Sequence, residues 1–81
     1  MTWALEWSFV AERRDLRELR LRAAERICEA LMTLAKTGRG SIVQTSPDDP
    51  NRFRLLVSGA EARLFIDTRT RTIYVLRLYR R

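Results

Sequence analysis

Arginines alternate with aliphatic residues through the C-terminal half of this chain, and guanidinium groups bind phosphates well. Alternation with a period of two residues predicts β-strands that send one set of side chains to each face of a sheet. If the aliphatic sets share a core, the opposite face carries five arginines and two aromatic residues: Arg52, Arg54, Arg63, Arg77, Arg81, Phe65 and Tyr79. Guanidinium groups beside aromatic rings suit a phosphate backbone with stacked bases.

Two other uses of this predicted basic face remain open. Antiparallel sheets commonly have one solvated face, and arginine stems cover apolar surface well. Because Lys36 is the only lysine among 16 basic residues, part of the arginine content reflects a general compositional bias. An acidic protein is the third candidate partner. Alternation alone does not choose among solvent, nucleic acid and protein.

The predicted core comes from the other side of the same strands. The alternation assigns three aliphatic sets to it: Phe53, Leu55 and Val57; Ala62, Leu64 and Ile66; Tyr74, Leu76 and Leu78. Three strands in succession, joined by tight turns at Ser58-Gly59 and Thr68–Arg71, predict an antiparallel meander.

Length and composition indicate one domain, residues 1–81, near the lower limit of what folds unaided. At 46% hydrophobic and 32% charged residues, the chain is neither disordered nor fibrous. A net charge of +6 favours an anionic partner: nucleic acid, ribosome, acidic protein or membrane surface. Residues 41–81 carry eight basic and four acidic side chains, so most of the excess belongs to the predicted sheet.

Several classes of chemistry are disfavoured by the residue types. The chain has no His, which removes His-centred catalysis and most zinc sites, so we expect no metal and no cofactor. Cys28 stands alone in a helical pattern, where an inert thiol in a cytoplasmic protein is expected. No run approaches 18 apolar residues and the start does not read as a signal peptide, so membrane insertion is not expected, and we expect no membrane among the partners.

The N-terminal half predicts a strand followed by helix. Thr2 to Trp7 alternates as a strand, and Ser8 is a candidate N-cap. Apolar residues then recur at three- and four-residue steps from Phe9 to Thr37, and Gly38 follows as a C-cap signal. Because a helix of that length would be about 43 Å long, we expect a break near Arg20 to Ala23. A single continuous helix used for self-association as a homodimer is the alternative.

Residues 38–51 read as a loop, with Ile42 and Val43 as a short extended piece. Asp48 and Asp49 fall in a Ser-Pro-Asp-Asp-Pro cluster, where turn formation explains them better than a carboxylate pair for catalysis or metal binding. The order of elements is β-α-α-β-β-β. It predicts an α+β fold in two layers, with an antiparallel sheet packed against a helical hairpin.

In this order, four segments resemble the RelE/ParE superfamily of bacterial toxins from type II toxin–antitoxin systems. WALEWSFVAERRDLREL (3–19) resembles the first strand and helix, and RICEALMTLAKTGRG (26–40) the second helix and its exit. RFRLLVSGAEARLFID (52–67) is similar to the strand pair in which basic residues flank a glycine-containing turn. TIYVLRLYRR (72–81) is similar to the last strand, which ends in a basic cluster.

The resemblance implies a ribosome-dependent endoribonuclease that cuts mRNA without a metal. Basic side chains would position the scissile phosphate while the RNA's own 2′-hydroxyl attacks. Position by position, it implies catalytic roles for Arg54, Arg63 and Arg81. The remaining candidates are expected to bind nucleic acid: Arg52, Arg77, Arg80, Phe65 and Tyr79. The implied partners are a cognate antitoxin, mRNA and the ribosome.

The sequence also departs from the RelE-type pattern. Leu56 occupies a second basic position, and the family's usual tail with a catalytic Tyr or His would follow Arg81, the last residue. No His is present and Lys36 is distant, so the residues supply no convincing general base. Two alternatives therefore stand beside the nuclease: a ParE-type inhibitor of DNA gyrase, and a catalytically degenerate binding module of the same fold.

Overall fold

A five-stranded sheet lies beside two helical segments in the computed structural model, which describes residues 2–81. Strand β1 (Ala4–Trp7) leads into a π-helical turn (Ala11–Asp15), a short α1 (Leu16–Glu18) and the longer α2 (Leu21–Thr37). Four strands follow: β2 (Ile42–Ser46), β3 (Asp49–Val57), β4 (Ala60–Asp67) and β5 (Thr72–Arg80). The α+β fold class is confirmed.

The sheet is mixed, with strand order β1-β5-β4-β3-β2. Strands β2 to β5 are antiparallel neighbours, as the meander predicted, but β1 pairs with β5 in parallel. The expectation of a wholly antiparallel sheet is therefore corrected at this edge. The long helical connection allows β1 to run parallel to β5, because parallel pairing needs a crossover rather than a tight turn.

The break between the helical segments falls at Leu19 and Arg20, whose ψ angles of 151° and 148° are extended. It was expected near Arg20 to Ala23, so the prediction is confirmed to within a residue and the continuous helix is ruled out. Leu19 is buried, so the break turns an apolar side chain into the core. At the start of the segment, Ser8 acts as the predicted N-cap, because its Oγ accepts a hydrogen bond from the Ala11 N–H at 3.0 Å.

The core lies between α2 and one face of the sheet. The buried side of α2 carries the residues whose spacing predicted it: Ala23, Ile27, Leu31 and Leu34. They pack against aliphatic residues of the strands, including Leu55, Ala62 and Leu64. Gly38 ends the helix at φ 72°, with its N–H donating to the Leu34 carbonyl, as a C-cap glycine should. No helix within residues 2–81 is long and apolar enough to cross a membrane.

The predicted loop over residues 38–51 is only partly a loop. Strands β2 and β3 form a hairpin through Pro47 and Asp48, which adds a strand that the sequence did not predict. Pro50 is tolerated because β4 pairs with β3 only from Arg52 onward. Asp49 accepts a hydrogen bond from the Asn51 N–H at 3.3 Å, which is the turn chemistry expected of it.

The turn between β3 and β4 is held tightly against α2. Gly59 has φ 87°, a conformation that favours glycine, and a Cβ there would lie 3.1 Å from the Cβ of Ala23. The hairpin that carries Arg52, Arg54 and Arg63 is therefore fixed to the helix layer at its tip.

A β-bulge at Leu76 changes which side chains of β5 reach the core. Phe65 of β4 pairs with Tyr74 and Arg63 pairs with Arg77, so β5 has one extra residue between the two pairs. Ile73, Val75 and Leu78 are buried, whereas Tyr74 is 38% exposed. The assignment of Tyr74 and Leu76 to the core was wrong, because strict alternation cannot anticipate a bulge.

Candidate nucleic-acid interface

The face of the sheet turned away from the helices carries three rows of side chains across β3, β4 and β5. We call this surface the open face. Directly paired residues share a face, so the register defines the rows. The first row is Arg52, Phe65 and Tyr74; the second, the arginine row, is Arg54, Arg63 and Arg77; the third is Leu56, Glu61 and Tyr79.

The arginine row places three guanidinium groups on neighbouring strands. Like charges directly opposite one another destabilise a sheet, so such a row requires compensation. Carboxylates supply it: Glu61 lies 3.8 Å from Arg54 and forms a short ion pair with Arg63, while Asp15 lies 2.7 Å from Arg77. The open face is therefore a set of paired charges rather than a uniform field of free cations.

The aromatic residues lie among these cations. Tyr79 has the guanidinium carbons of Arg63 and Arg77 over its ring, 5.4 and 5.2 Å from the ring centroid. Arg52 lies 5.9 Å from the ring centroid of Phe65, whose ring contacts that of Tyr74 with centroids 6.2 Å apart. Cation–π contacts of this kind orient the arginines and leave ring surface beside them.

Asp15 fixes Arg77 from the covered side of the sheet. Its carboxylate is buried and accepts hydrogen bonds from Arg77 Nε at 2.7 Å and from the Leu78 N–H at 3.0 Å. Burial alone would raise the pKa of Asp15, but the hydrogen bonds from Arg77 and Leu78 outweigh it and the pKa is lowered. The same hydrogen bond raises the pKa of Arg77. Asp15 thus covers the edge of β5 where β1 has ended and holds one end of the arginine row.

Other predicted site residues lie outside the arginine row. Arg52 is in the first row and pairs with Asp49 at 3.4 Å. Arg81 follows the end of β5, where its backbone N–H donates to the Gly59 carbonyl and its side chain to the Val57 carbonyl at 3.4 Å. Arg80 pairs with Ala60, a core residue, so it points to the opposite face and is not brought together with the others.

At the arginine row the open face has a depression of about 170 Å³, whose lining includes Arg52, Arg63, Arg77 and Tyr79. Pockets that enclose small ligands are typically about 300–1,000 Å³. Larger clefts of about 390 and 470 Å³ run along α2, and neither is lined by a member of the arginine row. The open face therefore suits an extended partner lying across it more than an enclosed small substrate.

Three residues of this region had no predicted role. Glu61 alternates in phase with Arg63, so the sequence placed it on the open face but did not show what it binds. Tyr74 was hidden by the bulge. Asp15 is 62 residues from Arg77 along the chain, and no local pattern relates them.

The fold is shared with solved structures of RelE toxins. The toxin–antitoxin complex RelBE2 from Mycobacterium tuberculosis matches over 100% of both chains, with a TM-score of 0.83 and 20% sequence identity. The chain has the RelE fold. The RelE–RelB complex from the archaeon Pyrococcus horikoshii OT3 covers 100% of this chain and 97% of its own, with a TM-score of 0.77 and 15% identity. A free Escherichia coli RelE with two arginines replaced by alanine covers 96% and 82%, also at 0.77 and 15%.

These matches confirm the RelE-like architecture that the four sequence segments implied. No protein-family model and no curated protein matches the chain. At 15–20% identity the likeness is one of backbone, so the roles of individual residues rest on the geometry of this chain.

Proposed function

We propose that this chain is the toxin of a toxin–antitoxin pair and acts in the cytoplasm as a ribosome-dependent mRNA endoribonuclease. The observation that carries the proposal is the arginine row, flanked by aromatic rings on the uncovered face of a RelE fold. Guanidinium groups at the spacing of neighbouring strands can contact successive phosphates, and the rings beside them can stack bases.

In this proposal the arginines stabilise negative charge on the substrate phosphate and do not transfer protons. The substrate's 2′-hydroxyl loses its proton to water and attacks the adjacent phosphate, which gains negative charge in the transition state. The P–O5′ bond then breaks, which leaves a 2′,3′-cyclic phosphate and a 5′-oxygen that takes up a proton from water. Arg54 and Arg63 would hold that phosphate and stabilise the added charge, with Arg81 at the end of β5 as a third contact. Arg77 is held by Asp15, so it would orient the backbone without rearranging. Phe65 and Tyr79 would stack bases, and no metal takes part.

A cognate antitoxin is the proposed protein partner. Two of the matched structures are RelE–RelB or RelBE complexes, in which a toxin is seen with its antitoxin. In this chain, an acidic or amphipathic segment could cover the open face and the helices, where Leu21 and Met32 are exposed. If so, co-expression of the antitoxin should prevent growth arrest by the chain.

The decisive experiment adds purified protein to a reconstituted translation reaction and maps mRNA 5′ ends by primer extension. Arg63→Ala tests the centre of the arginine row. Arg69→Ala is the matched control, because Arg69 lies in the turn between β4 and β5 and makes no ion pair within residues 2–81. We expect ribosome-dependent cuts with the unaltered protein and with Arg69→Ala, and none with Arg63→Ala.

Two results would contradict the nuclease. Cleavage retained in both Arg63→Ala and Arg81→Ala would exclude the open face as the site. Intact mRNA with the unaltered protein would remove the activity itself. Loss of supercoiling by purified DNA gyrase would then identify the ParE-type alternative, and no growth phenotype at all would identify a binding module.

A further inference from the structure

Glu61 is the acidic member of the open face, and its carboxylate lies between two members of the arginine row. One oxygen accepts a hydrogen bond from Arg63 Nε, and the other lies 3.8 Å from Arg54 Nη1. The Glu61 side chain is only 12% exposed, whereas those of Arg54 and Arg63 are 37% and 42% exposed. The two cations are thus accessible to a partner while the anion that joins them is largely covered.

The two guanidinium groups are not held equally. Arg63 donates directly to Glu61, but the separation from Arg54 is too long for a hydrogen bond. Nε of Arg54 is shielded from solvent and donates to no residue within 2–81. Glu61 therefore makes no hydrogen bond to Nη1 of Arg54, and because the Arg54 side chain is 37% exposed, a larger oxyanion could reach this end of the guanidinium group.

A phosphodiester offers the same chemistry as Glu61 at the same place: two anionic oxygens for two guanidinium groups. A carboxylate already between these groups must give up its ion pairs when a phosphate takes them. We propose that Glu61 is an internal competitor that lowers the affinity of the arginine row for phosphodiester anions. This inference deepens the proposed function, because it concerns the site through which that function would act.

Two variants with the same change in net charge test the competition. Glu61→Gln keeps the shape of the side chain and removes its charge from the arginine row. Glu29→Gln removes one charge from the exposed side of α2, where Glu29 makes no ion pair with any described residue. The probe is a fluorescently labelled single-stranded RNA of 12 nucleotides, with inorganic polyphosphate as a second probe that lacks bases. Binding is measured by titration over a series of salt concentrations.

We expect Glu61→Gln to bind RNA about tenfold more tightly than the unaltered protein at low salt. Once Glu61 is neutral, Arg54 and Arg63 can contact one or two more phosphates. The slope of log K against log salt should then steepen by about 0.7 to 1.4, because each added phosphate contact on a single strand contributes about 0.7. Glu29→Gln should change affinity by less than about twofold at about 0.1 M salt, because surface charges separated by more than about 10 Å are largely screened at that ionic strength. Polyphosphate should show the same order of affinities, since the competition is for anions and not for bases.

Three results would overturn the inference. Equal gains in Glu61→Gln and Glu29→Gln would show an effect of net charge alone. Weaker binding by Glu61→Gln would show that Glu61 organises the arginines instead of competing for them. No binding by either the unaltered protein or Glu61→Gln would show that the arginine row has no latent affinity for Glu61 to suppress.

A measurement on the unaltered protein covers the case in which Glu61→Gln fails to fold. In NMR spectra of the Arg Nε–H groups, saturating RNA should shift the Arg63 resonance, because its acceptor changes from carboxylate to phosphate. The Arg22 resonance, from an exposed side chain on α2, should remain in place. RNA binding with an unmoved Arg63 resonance would overturn the competition.

Competition by Glu61 and cleavage of mRNA can be tested separately. Binding needs no ribosome and no cleavage. If Glu61→Gln gains affinity while mRNA stays intact in the translation reaction, the competition holds and the nuclease is lost. If cleavage occurs but Glu61→Gln gains nothing, the opposite conclusion follows.

Discussion

The open face and the face that packs against α2, which we call the covered face, belong to the same strands but are stabilised by different interactions. On the covered face, residues such as Leu55, Leu64 and Val75 are buried to 1% exposure or less. On the open face, arginines at adjacent positions remain partly exposed and are paired with carboxylates or stacked on aromatic rings. Burial of apolar area stabilises one face, while the other holds charges in place for a partner.

This difference has a consequence for mutagenesis. Removing a side chain from the covered face leaves a cavity in a close-packed core. Removing one from the open face exposes surface that is already partly wet, and exposed ion pairs contribute little to stability. Asp15 contributes to both faces, because it is buried on the helix side but binds Arg77 of the arginine row.

The largest effect on stability is expected from Leu64→Ala, in the centre of the covered face. The lost apolar contacts and the resulting cavity should lower the free energy of unfolding by about 3 kcal/mol. Leu21→Ala is the control, because Leu21 is 77% exposed and its loss should cost less than about 0.5 kcal/mol. Denaturant unfolding measures both. Equal losses would show that the core does not lie where the fold places it.

Asp15→Asn should come next, with a loss of about 2 kcal/mol at neutral pH, because hydrogen bonds to a charged, buried group are strong. The pKa of Asp15 is lowered in the folded protein, so the unfolded chain binds a proton more readily. The stabilisation is therefore present above the unfolded pKa of about 4 and is lost as pH falls through the folded pKa.

This pH dependence is checked by denaturant unfolding of the unaltered protein and of Asp15→Asn between about pH 2 and pH 7. The difference between their unfolding free energies should shrink as the pH falls below about 4. A constant difference would mean that the charge of Asp15 does not contribute to the interaction with β5.

Gly59→Ala should cost about 1.5 kcal/mol, because the new methyl group meets both a positive φ and the Cβ of Ala23. Ser58→Ala, in the same turn, should be nearly neutral. The midpoint of thermal unfolding provides the comparison. If Gly59→Ala melts with the unaltered protein, the hairpin tip is not held against α2 as described.

Arg63→Ala should have the smallest effect on stability and should abolish the proposed mRNA cleavage. Its side chain is 42% exposed, and Arg54 remains 3.8 Å from the largely covered Glu61 carboxylate, so we expect a loss of about 1 kcal/mol. A folded, inactive variant would sharpen the contrast between the two faces. A variant that loses activity because it unfolds would contradict this difference, because the open face would then be needed for stability as the covered face is.

Much of this contrast was predictable from local patterns. The apolar spacing from Ala23 to Leu34 identified the buried side of α2, and period-two alternation separated Leu64 from Arg63. The hairpin of β2 and β3 was missed, because Pro47 and Pro50 read as loop residues while the pairing that forms the strand is nonlocal. The bulge at Leu76 was missed for a similar reason: it is a property of how β5 pairs with β4.

The amino-acid sequence by itself determined the fold class, the order of the elements other than β2, and the presence of arginines on one face of β3 and β4. These features depend on side-chain periodicity within single elements, which is written in neighbouring residues. Only the tertiary structure decided that β1 joins β5 in parallel, that Tyr74 reaches the open face, and that Asp15 and Glu61 hold the arginine row. Those outcomes depend on which distant segments become neighbours in the fold, because a charged side chain pairs with a counter-ion that is close in space rather than in sequence.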